Sequence, residues 1–296
     1  MIEHFSISQI NLFKQDPLEW IFQYLVGIKT PPSESLLFGS CFALSVEALL
    51  TDQPYARLNK NGSPTPFRQD IFDLAQKWIA ENQAILGGAP WEVEKRFRAY
   101  LDPALPIFEG AMDLVDAPRL VIRDFKTVTE NHDRRPPKFW GLNEAGLQQD
   151  FQLGFYAYVL AAPRMLVSPP PSVVGVDVGH FQIVKMKRGG EIYGYRFAEV
   201  TTAISWEQIV DTVAKIVEIG QEMKGVEKTF RDPAKGLDYL ISKYGAQKKR
   251  ILYGAPSPFF DVAMGNETVA ECRRRIAEET VAAHKTNWFA KKDDFC

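Results

Sequence analysis

The stretch Glu109-Gly110-Ala111-Met112-Asp113-Leu114-Val115-Asp116-Ala117-Pro118-Arg119-Leu120-Val121-Ile122-Arg123-Asp124-Phe125-Lys126-Thr127 decides how this chain is read. Two runs rich in Val, Ile and Leu flank Ala117-Pro118, so the segment reads as a β-hairpin. In a register centred on Ala117-Pro118, Leu114 faces Val121, Asp113 faces Ile122 and Ala111 faces Asp124. Side chains alternate along a strand, which places Asp124 and Lys126 on one face with Leu120 and Ile122. Asp113 falls on the same face. A slip of one residue would send it to the other side, so the grouping depends on register.

Two carboxylates and an ammonium on an otherwise apolar face are costly unless something pairs them. A divalent cation supplies the missing charge, and hard oxygen donors suit Mg²⁺ or Mn²⁺. Lys126 would then orient an attacking water or offset charge developing on phosphorus. Taken alone, Asp-x-Lys equally describes a structural ion pair at a strand end. Downstream, Gln152-Leu153-Gly154-Phe155-Tyr156 reads as helix, with Gln152 and Tyr156 one turn apart and Gln149 on the same face. That pair suits positioning of a phosphate or a water, and it also suits an amphipathic helix with a core tyrosine.

Outward from this centre, residues 6–27 read as a helix capped by Ser8 and kinked at Pro17. Further helices are expected at 37–50 and 68–86, with a long loop at 52–66. Strands are expected at 91–100, 108–115 and 120–128. A polar, basic connection at 129–147 leads to a helix at 148–162, ended by Pro163 and Pro169-Pro170-Pro171. A strand pair follows at 173–187 and 191–200, then a helix at 205–223. The remainder holds a small helical segment, a Pro/Gly-rich loop at 254–258 and a helix at 267–284. The order predicts a mixed α/β core with helical additions rather than repeated βαβ units.

Bulk properties narrow the function classes. The chain has 296 residues, 46% hydrophobic and 24% charged, so it can bury a core without staples. A formal charge of −2 argues against a protein that coats nucleic acid along its whole surface. Charge is nevertheless uneven. Residues 1–50 carry net −3, whereas 118–138 carry net +3 from Arg119, Arg123, Lys126, Arg134, Arg135 and Lys138 against three acids. Cys41, Cys272 and Cys296 form neither a disulfide framework nor a zinc motif. With no signal-like start, and with the longest apolar helical stretch placed near 151–162, the expectation is a cytoplasmic protein without membrane contact.

Gly-x-x-Asp at 110–113, Asp-x-Lys at 124–126 and Gln-x-x-x-Tyr at 152–156, in this order and spacing, resemble the RecB-like branch of the PD-(D/E)XK nuclease superfamily. Phe5-Ser6-Ile7-Ser8-Gln9-Ile10, with Phe13, Asp16-Pro17 and Tyr24-Leu25-Val26-Gly27, looks like the opening helix of that branch. Phe38-Gly39 through Glu47 looks like its second helix, and Glu94 lies on the strand that usually opens its core. The likeness spans roughly residues 5–165.

The resemblance implies a restriction-endonuclease-like fold: a mixed central sheet flanked by helices, with N-terminal helices and a C-terminal helical extension. It implies a nuclease core over 1–225 and an extension over 226–296. Asp113 and Asp124 would be metal carboxylates, with the Phe125 carbonyl a further ligand. Lys126 would be the catalytic lysine, and Gln152 and Tyr156 would complete the site. The reaction would be Mg²⁺- or Mn²⁺-dependent hydrolysis of DNA phosphodiesters, at ends or in single strands, in recombination, repair or phage DNA metabolism. A recombination or helicase protein is the expected partner, on a separate chain because no Walker-type loop is present. Oligomeric state is left open.

Two departures stand out. Family members often carry a metal-binding His four residues after the helix glycine; counting from Gly39, that position is Ala43, and Glu47 is the candidate substitute. Asp16 stands where some relatives begin a four-cysteine iron–sulfur cluster, so no cluster is expected. The missing His also supports a rival reading, a DNA-binding or assembly module with little catalysis. His4, His132, His180 and His284 have no ligand spacing with one another and are expected to be ordinary surface or core residues; His132 is the best candidate for a phosphate contact. Lys185, Lys187 and Arg188, Lys248-Lys249-Arg250 and Arg273-Arg274-Arg275 read as solvated faces that would track a DNA backbone if the nuclease reading holds. Trp140 reads as a packing residue with a second option of base stacking.

Overall fold

The computed structural model describes residues 2–56, 65–88, 90–133, 135–139, 141–165, 175–232, 236–245 and 258–284. Expectations for Trp140, for 248–250 and for most of the 254–258 loop lie outside them. In chain order the elements are β1 (His4–Phe5), α1 (Ile7–Gln15), α2 (Pro17–Trp20), a π-helical turn (Ile21–Val26), α3 (Glu34–Thr51), α4 (Gln69–Glu81), α5 (Gln83–Leu86), β2 (Glu92–Ala99), β3 (Ile107–Asp116), β4 (Val121–Asn131), β5 (Lys138–Phe139), α6 (Glu144–Leu147), α7 (Phe151–Met165), β6 (Gly175–Arg188), β7 (Glu191–Ser205), α8 (Trp206–Phe230), α9 (Gly236–Gly245), α10 (Phe260–Ala263) and α11 (Val269–His284). The fold is α/β, a mixed seven-stranded sheet in the order β1-β3-β4-β6-β7, with β2 paired to β3 and β5 paired to β4.

The chain divides into two compact units. One comprises residues 1–31, 98–110 and 213–286, and is largely helical. There Ser6, not Ser8, caps the first helix, its side chain accepting from the Gln9 N–H. Pro17 does split the opening helix. Asp16 ends α1 and caps α2 by accepting from the Glu19 N–H, the arrangement that suits proline in a first turn. Phe22 stacks on Phe259, and Phe13 meets Tyr244 edge-on. Ordinary packing among these aromatic rings joins the first helices to the last ones.

The other unit comprises 32–97 and 111–212 and carries the sheet's main ladders. Strands β4 and β6 run parallel from Val121↔Asp177 to Asn131↔Lys187, and β6 and β7 form a long antiparallel pair. On one face, α3 and α4 close a core of Leu37, Phe38, Cys41, Phe42, Val46, Ile71, Ala75 and Trp78 over Leu114, Phe181 and Ile183. The α3 residues recur at helical spacing, which gives that helix one continuous apolar stripe. Trp78 lies at its middle, with ring centroids 5.0 Å from both Phe125 and Phe181.

Several expectations change. The β3–β4 register is Leu114↔Arg123, Val115↔Ile122 and Asp116↔Val121, two residues from the predicted pairing. The turn is longer than a hairpin centred on Ala117-Pro118 requires, and Leu120 at φ 56 bends it. A two-residue shift keeps every side chain on its predicted face, so Asp113, Asp124 and Lys126 still share one. The third helix breaks at Asn82, and the connection at 129–147 contains β5 and α6. Pro163 sits inside α7. Among the described residues, the longest apolar helix is α3, not the 151–162 segment; its length and hydropathy would let it cross a membrane, but its Leu37, Phe38, Cys41, Phe42 and Val46 are core residues.

Candidate active site

Strand β4 supplies two of the groups. Asp124 is buried, Lys126 keeps about a third of its side chain accessible, and their Oδ2 and Nζ atoms lie 2.5 Å apart. Between them, Phe125 turns its ring into the α3–α4 core beside Phe42 and Trp78. One step along the observed register, Asp113 on β3 comes beside Asp124, and its Oδ2 accepts the Phe125 N–H at 2.6 Å.

Helix α7 supplies the rest. Asp150 caps it, its Oδ1 accepting from the N–H groups of Gln152 (2.7 Å) and Leu153 (3.1 Å). The first turn then presents Gln152 to the sheet. Its Oε1 accepts from Lys126 Nζ at 3.0 Å, and its Nε2 donates to Asp124 Oδ1 at 2.9 Å and to the Tyr156 hydroxyl at 3.0 Å. Gly154 lets α7 pack closely on helix α8, because a Cβ there would stand 2.7 Å from Thr212 Cγ2. Gln149, expected on the same face, instead lies exposed in the turn before α7.

Electrostatics mark the cluster as short of positive charge. Burial, then the neighbouring Asp124, push the Asp113 carboxyl well above the usual range, against the Phe125 N–H. Glu94 on β2 is pushed up to about 7 by burial and by Glu47, with a smaller push from Asp124. Glu47 is thus near enough to Glu94 to oppose its charge, whereas Ala43 brings no donor. Glu94 also holds a left-handed backbone at φ 50, a strained state for a residue with a Cβ. Burial pulls the Lys126 ammonium down, but Asp124 and Asp113 outweigh it and leave it raised. Burial and Asp124 raise Tyr156, which keeps its proton.

Asp113, Asp124 and Lys126 from the hairpin, with Gln152 and Tyr156 from α7, are therefore brought together. Sequence reasoning passed over three further groups. Glu94 was assigned to its strand without a role. Asp150 was not singled out. His180 lies directly opposite Asp124 across the β4–β6 ladder, with Nε2 4.0 Å from Asp124 Oδ2 and 3.9 Å from Asp150 Oδ2. No short spacing signals that contact, because parallel pairing makes it.

The basic stretch is largely absorbed into internal pairs. Arg119 bonds buried Asp116, and Arg123 is bidentate to Asp177 while reaching Glu199 at 2.7 Å. His132 sits 3.3 Å from Glu130 and edge-on to Tyr193, so it is already engaged within the fold. Lys185 is no solvated residue: it is buried, over the Phe38 ring, donating to Ser35 Oγ at 3.0 Å. Arg275 is held by Glu267 and Glu279.

Among the described residues, no group of three or more His, Cys, Asp or Glu side chains is arranged to hold a metal ion. Gln152 donates to Asp124 Oδ1 and the Phe125 N–H to Asp113 Oδ2, while buried Asp124 Oδ2, in ion-pair contact with Lys126, has no hydrogen-bond partner. The donor chemistry nevertheless fits a hard divalent cation. The carboxyls of Glu94, Asp113 and Asp124 repel one another beside one ammonium, and a cation relieves that repulsion.

None of the curated proteins matches the chain. Among solved structures it is similar to a Eubacterium rectale protein described as "Putative exonuclease", at 13% identity and a TM-score of 0.45, over 76% of this chain and 82% of that one. It is also similar to a protein designated SSO0001, at 10% identity and a TM-score of 0.33, over 74% and 77% of the two chains. The family profile for the PD-(D/E)XK nuclease superfamily matches residues 4–232, the span that holds the whole sheet and every group of the cluster above. By that match, the chain belongs to the PD-(D/E)XK nuclease superfamily.

Proposed function

We propose that the protein is a divalent-metal-dependent deoxyribonuclease of RecB-like type, acting as an exonuclease on DNA ends or single strands. The observation that carries this reading is the hydrogen-bonded set of Asp124, Lys126, Gln152 and Tyr156, with Asp113 alongside. Asp113, Asp124 and the Phe125 carbonyl would hold Mg²⁺ or Mn²⁺, with Glu94 and Glu47 close by. When bound, the ion supplies positive charge for the scissile phosphate and acidifies a water.

The chain's own groups have separable tasks. Lys126 stays charged and stands beside the carboxylates, where it opposes negative charge developing on the phosphate. Gln152 fixes the ammonium by accepting from it and fixes Asp124 by donating to it. Tyr156 retains its proton and holds the Gln152 amide from below. The test is cleavage of end-labelled single- and double-stranded DNA with Mg²⁺ or Mn²⁺. Activity lost with a chelator, with Asp124→Ala and with Lys126→Ala supports the reading; activity surviving both substitutions ends it.

One observation favours a second reading, a DNA-binding or assembly module with weak catalysis. Ala43 stands where family members often carry a metal-binding His, which leaves the cluster one donor short. Calorimetry separates the two: no heat with Mn²⁺, together with intact DNA affinity, selects the module.

A further inference from the structure

His180 is a buried imidazole that the chemistry above does not use. Its Nε2 has no hydrogen-bond partner, and it faces two carboxylate oxygens from different elements at nearly equal range, Asp124 Oδ2 and Asp150 Oδ2. Both distances exceed a hydrogen bond by about half an ångström or more. Asp124 is the centre of the cluster. Asp150 is the cap of α7, and its other oxygen already holds the N–H groups of Gln152 and Leu153. A buried polar nitrogen is costly to leave unpaired, so the imidazole favours positions of α7 that keep the Asp150 carboxylate within ion-pair range of it.

We infer that His180 is a positioning residue: acting through Asp150, it sets the first turn of α7 at the height from which Gln152 spans Lys126 and Asp124. Strand β6 is well suited to this task, since eleven consecutive residue pairs lock it to β4 in parallel register. A nitrogen on β6 thus has a fixed position relative to Asp124, and α7 is adjusted against it. His180 resembles the outer partners that orient metal-site ligands, acting on a neighbour's geometry rather than on the reacting atoms.

This inference rests on the nuclease reading for its kinetic arm alone. The full chain is compared with His180→Phe, His180→Gln and Asp150→Asn. Asn can still cap the helix, but it removes the charge facing the imidazole. The first measurement is amide hydrogen exchange. His180→Phe is expected to speed exchange at Gln152 and Leu153 about tenfold, leaving α4 amides unchanged, and His180→Gln to restore most of the protection. The second is cleavage of a single-stranded oligonucleotide with Mn²⁺. His180→Phe and Asp150→Asn are each expected to lower kcat about tenfold with KM little changed, and the double variant to lose no more than either single one.

Unchanged exchange at Gln152 and Leu153 would overturn the inference. A uniform rise across α4 and α7 would overturn it too, since that signals lost packing. So would losses that multiply in the double variant. Should His180→Phe not fold, Asp150→Asn and His180→Gln carry the same comparison. If the wild type cuts no DNA, the nuclease reading falls, and the exchange measurement still decides the role of His180.

Discussion

Gln152 donates from Nε2 to Asp124 Oδ1 at 2.9 Å across 28 positions of sequence, and the same amide accepts from Lys126 Nζ through its other end. One uncharged side chain therefore ties the acidic and basic members of the site together. Substitution by Leu keeps the size and removes both contacts. Gln152→Leu is expected to lower kcat 10–100-fold or so, the usual cost of losing an orienting partner, with KM little changed. Because Asp124 is buried and loses the hydrogen bond to its Oδ1, stability should also fall, by about 1–3 kcal/mol, and the thermal midpoint with it. Steady-state cleavage of an oligonucleotide, with a melting curve on the same sample, checks both halves.

Glu94 makes a pH dependence calculable in sign. Its carboxyl is raised from 4.5 to about 7 in the folded protein, so the folded state holds a proton that the unfolded state has released. Its cost to stability is absent below the unfolded value, grows as pH rises between the two, and is complete above the folded one. Glu94→Gln removes the titration. The variant should match the wild type near pH 4.5 and exceed it by pH 8, by at most about 3 kcal/mol before solvent screening. Urea unfolding across that range, without divalent ions, reads the difference; a constant gap would show that Glu94 does not titrate there.

Binding of an ion by the same group runs the proton balance the other way. At pH 6 the Glu94 carboxyl is mainly protonated, and a cation in the cluster would expel that proton. Titration of Mn²⁺ in buffers of different ionisation enthalpy should therefore show protons released at pH 6 and far fewer at pH 8. In Glu94→Gln the pH 6 release should fall. Equal release at the two pH values would remove Glu94 from the ion's surroundings.

How much of this was legible in the sequence follows from what each contact depends on. Asp113, Asp124 and Lys126 were grouped correctly even though the predicted register was two residues off, because alternation has a period of two and such an error leaves faces unchanged. Gln152 and Tyr156 were legible from helical spacing, since they share one helix. His180 was not, because its place opposite Asp124 arises from a parallel pairing that no local pattern encodes. Net charge also misled. The basic residues Arg119 and Arg123 contribute to the net positive charge of 118–138, but buried Asp116 and the carboxylates of Asp177 and Glu199 engage them. Glu94 was legible as a strand residue, but its left-handed backbone at φ 50 was not, in a run that reads as plain strand.

Arg123 carries a stability prediction apart from the site. It is almost fully buried, bidentate to Asp177 and bonded to Glu199, and it joins β4, β6 and β7. Removing one partner of such a pair leaves the others uncompensated, at a cost of about 3–5 kcal/mol when all are buried. Asp177 and Glu199 are partly exposed and can be rehydrated, so Arg123→Ala is expected to cost about 2–3 kcal/mol. Equilibrium urea unfolding measures this.

Gly154 tests whether helix approach, rather than chemistry alone, governs the site. A Cβ at this position would meet Thr212 Cγ2 at 2.7 Å and Oγ1 at 3.0 Å, both side-chain atoms of α8. Gly154→Ala must push α7 away or force Thr212 off its rotamer, a strain of about 1–3 kcal/mol that outweighs the helix propensity gained. Because Gln152 and Tyr156 ride on α7, the same displacement should loosen their contacts and lower kcat. Thr212→Ala deletes the obstructing atoms. The double variant Gly154→Ala/Thr212→Ala should therefore regain both stability and activity relative to Gly154→Ala alone, although the Thr212 Cβ, at 3.1 Å, keeps the recovery partial. Stability that recovers without activity would mean that the packing of α7 on α8 is not what sets Gln152 in place.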